Sequence, residues 1–267
     1  MNSEEFSHIL RTKFSYQSPQ RSRFRSEKFP GWATTFIYYT LLLKIISASS
    51  ISALRGRYDH KKWADSSLDI LRMAESVGGR FHISGLEGVA AHEGPLIFIA
   101  NHMSTLDPLI LPCITLAFNK VVFVVKESLL RYPIFGPVMR AVNPVTVTRQ
   151  NPREDLKVVL KKGQEAISDG YSVVIFPQAT RTLVFDPASF NSLGVKLARR
   201  AGVPVVPIAL KTDFQGNWRM IREIGSIVPQ KSVYLNFGNP MTVEGNGQSA
   251  HRKIVEFIIE NLGKWAV

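Results

Sequence analysis

Phe98-Ile99-Ala100-Asn101-His102-Met103-Ser104-Thr105-Leu106-Asp107-Pro108 is the stretch that decides the fold. The apolar run over residues 96–100 predicts a buried strand, and it ends in a cluster of polar side chains. Pro108 then opens a second apolar run, over residues 109–117, that has the length of a helix. Proline suits the first position of a helix because the N–H that it lacks has no partner there. We therefore expect Asp107 at or near the N-cap and His102 in the loop before it.

His102 and Asp107 are five residues apart. On a straight helix five residues rotate by about 500°, which would leave the two side chains facing about 140° apart. They meet only if the chain turns between them. A strand-to-helix corner provides that turn at the end of a sheet, where open α/β folds place their ligands. A neutral imidazole held by a carboxylate is a competent general base for a hydroxyl. The alternative, which spacing alone leaves open, is a histidine that caps the loop and an aspartate that caps the helix.

The composition indicates one α/β core with an appendage, since the chain has 267 residues and 45% of them are hydrophobic. The formal net charge of +12 favours anionic partners: nucleic acid, acidic lipid headgroups or phosphorylated substrates. With a single cysteine, Cys113, no intramolecular disulfide is possible. Because Cys113 lies within an apolar run, we expect a small core residue rather than a nucleophile.

The first 31 residues form a basic polar segment, and no short apolar core with a cleavage site indicates a signal peptide. Its acidic residues are Glu4, Glu5 and Glu27. Its cations are Arg11, Lys13, Arg21, Arg23, Arg25 and Lys28. We treat residues 1–31 as a separate N-terminal segment, followed by a membrane-associating helical region over residues 32–75.

The span over residues 32–54 is rich in apolar side chains and carries one charge, Lys44. As a helix it would reach about 35 Å, enough to cross the hydrocarbon core of a bilayer. Its second half is only weakly apolar, its Trp and Tyr side chains suit the headgroup level, and basic residues flank both ends. We expect a helix that lies in or dips into one leaflet. A full span and a helix packed on the protein's own core are the alternatives.

Strand and helix patterns alternate over residues 76–267, which predicts an α/β domain with a mostly parallel sheet flanked by helices. Asn151 followed by Pro152 predicts a helix start, and Gly170 its end. Pro204 and Pro207 place one strand at an edge or at a bulge. The expected strands cover residues 80–85, 96–100, 120–126, 145–148, 171–177, 203–210 and 232–237, and further helices cover 193–200 and 251–265.

Four motifs resemble, in order, those of the glycerolipid acyltransferases, the family of 1-acylglycerol-3-phosphate acyltransferases. They are Asn101-His102-x-x-x-x-Asp107, the strand that ends in Arg149, Phe176-Pro177-Gln178-Ala179-Thr180-Arg181-Thr182, and Val203-Pro204-Val205-Val206-Pro207. The segment that begins at Lys126 resembles the family's region between the first two motifs. The resemblance covers roughly residues 80–240, and four motifs in order are a specific signal.

The resemblance implies an O-acyltransferase of phospholipid biosynthesis. It would move a fatty acyl group from acyl-CoA or acyl carrier protein to the hydroxyl of a lysophospholipid, by default 1-acylglycerol-3-phosphate. His102 would take the hydroxyl proton while Asp107 holds the imidazole. The implied substrate-binding residues are Lys126, Arg149, Gln178, Thr180 and Arg181. No metal or cofactor beyond the thioester co-substrate is implied.

The residues themselves agree with a phosphate site, since Arg149 and Arg181 both follow predicted strands and Arg offers a fork of donors that matches phosphate oxygens. The expected partners are the acyl donor, the lysophospholipid acceptor and an anionic membrane surface, with the site on the cytoplasmic side. A nucleic-acid partner is not expected, because the bases are scattered rather than interleaved with aromatic residues on one face.

Two positions depart from the family's third motif: Gln178 stands where the family has Glu, and Ala179 where it has Gly. Gln keeps hydrogen-bonding capacity but loses the charge. If the backbone at 179 needs a positive φ, Ala costs about 1 kcal/mol or more. These departures leave two alternatives open: a non-catalytic lipid-binding relative, and an acyltransferase with a different acceptor.

Overall fold

The computed structural model describes residues 1–19, 30–217 and 224–266. Arg21, Arg23, Arg25 and Lys28 of the basic segment lie outside the described residues. The described strands are β1 Tyr16–Gln17, β2 Phe81–Ser84, β3 Ile97–Ala100, β4 Val121–Lys126, β5 Val145–Val147, β6 Ser172–Ile175, β7 Val205–Lys211 and β8 Val233–Phe237. The described α-helices are α1 Ser3–Lys13, α2 Gly31–Leu54, α3 His60–Ser76, α4 Glu87–Ala91, α5 Leu106–Thr115, α6 Gly136–Ala141, α7 Pro152–Ser168, α8 Leu193–Ala201 and α9 Gln248–Lys264.

The strands form one eight-stranded sheet in the order β1-β2-β8-β7-β3-β6-β4-β5. Among the described strands, the β1–β2 and β7–β8 pairs are antiparallel and the other pairs are parallel. The prediction of a mostly parallel sheet flanked by helices is therefore confirmed. β7, β3, β6, β4 and β5 are mutually parallel, so their carboxyl ends meet at one edge of the sheet.

Helices cover both faces of the sheet, which is why its central strands are continuous apolar runs. In β3, Phe98 and Ala100 pack into the core under α1, α2, α3, α5 and α6. Ile97 and Ile99, which point to the other face, pack into the core under α7, α8 and α9. This alternation fixes the register of β3, and with it the direction in which the chain leaves the sheet towards His102.

α5 begins at Leu106, so Pro108 is its third residue rather than its first, and the cap position is Thr105. The Ser104 hydroxyl accepts a hydrogen bond from the Leu106 N–H at 3.2 Å and takes the role of a cap. Proline is tolerated at the third position because the first four N–H groups of a helix have no partner inside the helix. Asp107 accordingly lies in the first turn, where its side chain reaches back towards the loop.

α7 begins where the sequence predicts, with Asn151 as its cap. The Asn151 side chain accepts hydrogen bonds from the N–H groups of Arg153 and Glu154 at 3.1 and 3.3 Å. This cap fixes the turn that follows β5, and therefore the placement of Arg149 at the edge of the sheet.

The strand with Pro204 and Pro207 was predicted to lie at an edge or to be bulged. The edge position was wrong, and the register of residues 205–208 with β3 is continuous, without a bulge. β7 lies inside the sheet, between β3 and β8. Pro204 precedes the strand, and the pairing with β8 starts at Ile208, one residue after Pro207. Pro207 contributes its carbonyl, which accepts a hydrogen bond from the Gly238 N–H at 2.8 Å, so its missing N–H leaves no gap in the sheet.

The N-terminal segment contains two elements that were not predicted. Asn2 and Glu5 form a capping box at the start of α1, and Phe6 and Leu10 are fully buried. β1 then adds to the sheet edge beside β2. At least the first 17 residues of the segment thus pack on the α/β body.

α2 and α3, which make up the predicted membrane-associating region, differ in character. α3 buries Trp63, Leu68 and Leu71 in the core. α2 is a 24-residue helix, long and apolar enough to cross a membrane, and only 22% of its most apolar window is buried. Its exposed apolar side chains include Trp32, Phe36, Leu43, Ile51 and Leu54.

Candidate active site

The carboxyl edge of the five parallel strands gathers most of the predicted site residues. His102 follows β3, Arg149 follows β5, and Lys126 is the last residue of β4. Gln178, Thr180 and Arg181 lie in the loop after β6. Because the carboxyl ends of parallel strands share an edge, residues up to 79 positions apart in sequence are brought to one side of the molecule.

His102 and Asp107 meet in the turn between β3 and α5. The His102 Nδ1 atom lies 2.9 Å from Oδ2 of Asp107. The carboxylate is fully buried, while 12% of the His102 side chain is exposed. In the neutral imidazole whose Nδ1–H donates to the carboxylate, the lone pair is on Nε2. The strand-to-helix corner therefore yields the geometry of a held general base.

The buried Asp107 carboxylate is surrounded by donors. Its Oδ2 atom accepts hydrogen bonds from the N–H groups of Met103 and Ser104, at 2.7 and 3.0 Å, besides the imidazole. Its Oδ1 atom accepts from the Thr212 hydroxyl, and the Ser104 hydroxyl lies 3.3 Å from the same atom. Buried polar groups need hydrogen-bond partners, and here both carboxylate oxygens have them. The arrangement holds the carboxylate against the imidazole.

Further contacts fix the ring and backbone of His102 and the side chain of Asn101 before it. The ring of Phe176 stacks on the imidazole, with centroids 4.4 Å apart and an angle of 28° between the planes. The His102 carbonyl accepts a hydrogen bond from the Thr182 N–H at 3.0 Å. The Asn101 side chain bridges to β7 through the N–H and carbonyl of Leu210, both at 2.8 Å. The histidine is thus held between the ends of β3, β6 and β7.

Arg149 and Arg181 are neighbours at this edge. Arg149 has a φ of 60°, and its backbone N–H donates to Asp155 Oδ2 at 2.8 Å, which turns the residue out of the strand direction. Its guanidinium donates to the Ala179 carbonyl in the loop that carries Arg181. Burial and, second, the charge of Arg181 lower the pKa of Arg149 below its ordinary value. Two cations packed this closely favour a bound anion.

Lys126 lies at the same edge but is exposed, and no hydrogen bond or ion pair of its ammonium group is found within the described ranges. It is paired in register with Val147, two residues before Arg149. The structure therefore places Lys126 beside the site without bringing it into contact with His102 or Asp107.

Gln178 has a different position from the substrate-facing one predicted. The residue is only 2% exposed, its Oε1 atom accepts from the His102 N–H at 2.7 Å, and its Nε2 atom donates to the Thr182 hydroxyl at 2.9 Å. Both ends of the amide are thus used inside the protein, where they fix the loop against His102. A role of Gln178 in substrate binding stays a prediction.

Ala179 does not adopt a positive φ, in contrast to Arg149 and two other non-glycine residues in the described part of the chain. The loop after β6 therefore takes an ordinary backbone conformation at this position, and Ala brings no conformational penalty there. Thr180 and Arg181, which follow, are partly buried.

Cys113 is 3% exposed on α5, and burial raises the pKa of its thiol to about 12. The prediction of a core residue is confirmed. The thiolate is the nucleophilic form of cysteine, and this environment suppresses it. Among the described residues there is no group of three or more His, Cys, Asp or Glu side chains arranged to hold a metal ion.

Sequence reasoning missed Ser104, Phe176 and Thr212 as site residues. Ser104 and Phe176 lie inside two of the motifs, so their positions next to His102 were a usable signal. Thr212 is 105 residues from Asp107 and follows the last motif, and only the pairing of β7 with β3 brings it to the carboxylate.

Comparison with known proteins finds a matching family and similar sequences. An acyltransferase family model matches residues 80–211. The 1-acyl-sn-glycerol-3-phosphate acyltransferase of Pseudomonas aeruginosa is 31% identical over 177 residues, which are 66% of this chain and 66% of that protein. The chloroplastic 1-acyl-sn-glycerol-3-phosphate acyltransferase LPAT1 of Arabidopsis thaliana is 28% identical over 213 residues, 78% of this chain and 54% of that protein. The chain thus spans about two thirds or less of the length of these relatives.

The solved structures include a fold neighbour, the 1-acyl-sn-glycerophosphate (LPA) acyltransferase PlsC from Thermotoga maritima. The two structures superpose with a TM-score of 0.64 over 88% of this chain and 95% of that chain, at 19% sequence identity. At this identity the likeness establishes the fold. The fold match includes most of the described elements of the present chain.

Proposed function

Because the chain belongs to the glycerolipid acyltransferase family, we propose that it transfers a fatty acyl group from an acyl thioester to the hydroxyl of 1-acylglycerol-3-phosphate. The donor is acyl-CoA or acyl carrier protein. The observation that carries the proposal is the His102–Asp107 pair, 2.9 Å apart, at the sheet edge that also holds Arg149 and Arg181. A general base and a phosphate-binding pair are the two functions that acylation of a phosphorylated acceptor requires.

In the proposed mechanism, Nε2 of His102 takes the proton of the acceptor hydroxyl as its oxygen attacks the thioester carbonyl. A C–O bond forms, the C–S bond breaks, and the imidazolium returns the proton to the leaving sulfur. Asp107 holds the ring and stabilises the imidazolium while it carries the proton. The acyl group passes directly to the acceptor, so no acyl-enzyme forms.

Arg149 and Arg181 are proposed to bind the acceptor phosphate. Burial and, second, the charge of Arg181 lower the pKa of Arg149, and a dianionic phosphate would offset both effects. The planar guanidinium presents two parallel donors to phosphate oxygens, which sets orientation as well as affinity. Thr180, which precedes Arg181 in the loop after β6, and the exposed Lys126 are proposed as secondary contacts.

A narrow apolar cleft of about 80 Å³ is proposed to receive part of a fatty acyl chain. It begins at Pro108 and Leu109, directly after the catalytic carboxylate, and runs between α2, α3 and α6. Its walls include Ile45, Trp63 and Phe135. An acyl chain in this cleft would leave its carbonyl near the start of α5, on the side of the His102–Asp107 pair.

Arg181→Ala should mainly raise the KM for the acceptor, by about 10- to 100-fold, because one charge-assisted phosphate contact is lost. The measurement is the initial rate of thiol release against lysophosphatidate concentration. Arg199→Ala, which removes an exposed arginine of α8, is the matched control and should leave the KM unchanged. An unchanged acceptor KM in Arg181→Ala would remove this residue from the phosphate site.

We further propose that α2 docks the protein on the cytoplasmic face of an anionic membrane. The exposed apolar side chains Trp32, Phe36, Leu43 and Leu54 lie on a helix whose C-terminal end is followed by four cations, Arg55, Arg57, Lys61 and Lys62. Apolar burial and attraction to acidic lipids act together in such helices.

Replacing Trp32, Phe36 and Leu43 together by Ser should reduce binding to vesicles of mixed neutral and acidic lipid by at least about 100-fold, since each buried side chain contributes about 1.5–3 kcal/mol. Co-sedimentation measures the bound fraction. Ile259→Ser is the control, because Ile259 is 47% exposed but lies on α9, across the sheet from α2. Equal losses in both variants would contradict docking through α2.

Two other functions are outcomes of the same experiment: an acyltransferase with another acceptor, and a non-catalytic lipid-binding protein. A thiol-release assay with purified protein should compare lysophosphatidate, glycerol 3-phosphate and a neutral lysolipid. We expect the highest rate with lysophosphatidate. A higher rate with another acceptor would reassign the substrate, and no turnover with any of them would support a non-catalytic lipid-binding protein.

A further inference from the structure

Thr212 is a fully buried residue that directly follows β7. Its hydroxyl donates a hydrogen bond to Oδ1 of Asp107, on the side of the carboxylate away from His102. The Ser104 hydroxyl lies 3.3 Å from the same Asp107 oxygen but only 2.8 Å from the Thr212 hydroxyl. Since Thr212 has one proton to donate and gives it to the carboxylate, Ser104 donates to the Thr212 oxygen.

Thr212 differs from the other donors around Asp107 in where it is anchored. Met103 and Ser104 belong to the same loop as His102, so they move with that loop. Thr212 belongs to the chain that leaves the sheet beside β3, and its N–H contacts Sδ of Met103 at 3.2 Å. Five residues later, the Asn217 side chain donates to the Met103 carbonyl at 2.7 Å. The segment after β7 thus holds the His102 loop in place through hydrogen bonds from another part of the chain.

We propose that Thr212 is a positioning residue for the acyl transfer proposed above, on which this inference rests. Its hydroxyl holds the Asp107 carboxylate in the rotation that faces His102 and stabilises the buried negative charge. Thr212 does not touch substrate, since it is fully buried behind the carboxylate. Its effect therefore acts through Asp107 on the orientation and basicity of the imidazole.

Thr212→Val retains a β-branched side chain of similar shape but lacks the donor. We expect kcat to fall about 10-fold or more, because a hydrogen bond to a charged group is lost. The KM for both substrates should stay within about twofold of wild type, since no substrate contact changes. Thr212→Ser retains the hydroxyl and should restore kcat to within about threefold of wild type.

Thr115→Val is the matched control, because Thr115 is another buried threonine whose hydroxyl donates within α5, to the Leu111 carbonyl at 2.9 Å. It should leave kcat unchanged, and melting temperatures of all variants report on folding. A wild-type kcat in Thr212→Val, or the same loss in Thr212→Ser, would overturn the inference. An inactive wild-type protein would instead overturn the proposed function, so the two failures are distinguishable.

Discussion

His102→Ala is expected to lower the rate of acyl transfer by about 100- to 10,000-fold, the usual contribution of a general base. The variant loses the ring that lies 2.9 Å from Asp107 and stacks on Phe176. Without it, no described group at this position can take the proton of the acceptor hydroxyl. The measurement is kcat for thiol release with saturating lysophosphatidate.

Membrane binding separates a catalytic loss from a failure to fold. The His102→Ala variant should bind vesicles as wild type does, because the helix proposed to contact the membrane, α2, does not include the His102 loop. His8→Ala removes an exposed histidine of α1 and should retain full activity. Wild-type activity in His102→Ala would end the assignment of this residue as the base.

Asp107→Asn should lower kcat by at least about 100-fold with little change in the acceptor KM. The amide has the same shape, and its oxygen can accept from the imidazole and from the N–H groups of Met103 and Ser104. Its NH₂ group then faces Thr212 and Ser104, whose hydroxyls can turn to accept. The substitution thus removes the charge that stabilises the imidazolium, a charge-assisted interaction, while the tautomer of His102 is kept.

A pre-steady-state or saturating rate measurement with Asp107→Asn distinguishes this role from a purely structural one. A structural role predicts a lowered melting temperature with kcat preserved in the folded fraction. The positioning and charge role predicts a nearly normal melting temperature and a low kcat. A folded variant with kcat within threefold of wild type would contradict the role assigned to Asp107.

The local features of the site were predictable from the sequence. The apolar run before Asn101, the proline after Asp107 and the polar residues between them specify a strand, a turn and a helix. The turn brings residues 102 and 107 together, as expected. The start of α5 differed because Ser104, rather than Asp107, serves as the cap at the backbone, and this leaves the carboxylate free to reach back.

Long-range features were not predictable in the same way. The prolines of β7 suggested an edge, but the structure places one before the strand and the other where only its carbonyl is used. Thr212 reaches Asp107 through sheet pairing, which no local pattern records. Gln178 is similar: the resemblance of its motif implied a role in substrate binding, and no local pattern indicated the hydrogen bonds of its amide to His102 and Thr182.

Direct acyl transfer to a base-activated hydroxyl is tested by the stoichiometry of the reaction with the purified wild-type protein. Acyl-CoA, or acyl carrier protein in a parallel reaction, is supplied with and without lysophosphatidate, and free thiol and phosphatidate are both quantified. Direct transfer from a base-activated hydroxyl predicts one thiol released for each phosphatidate formed, no thiol release without acceptor, and no acyl group on the protein by intact mass. Thiol release independent of acceptor, or an acylated protein that precedes phosphatidate, would contradict it.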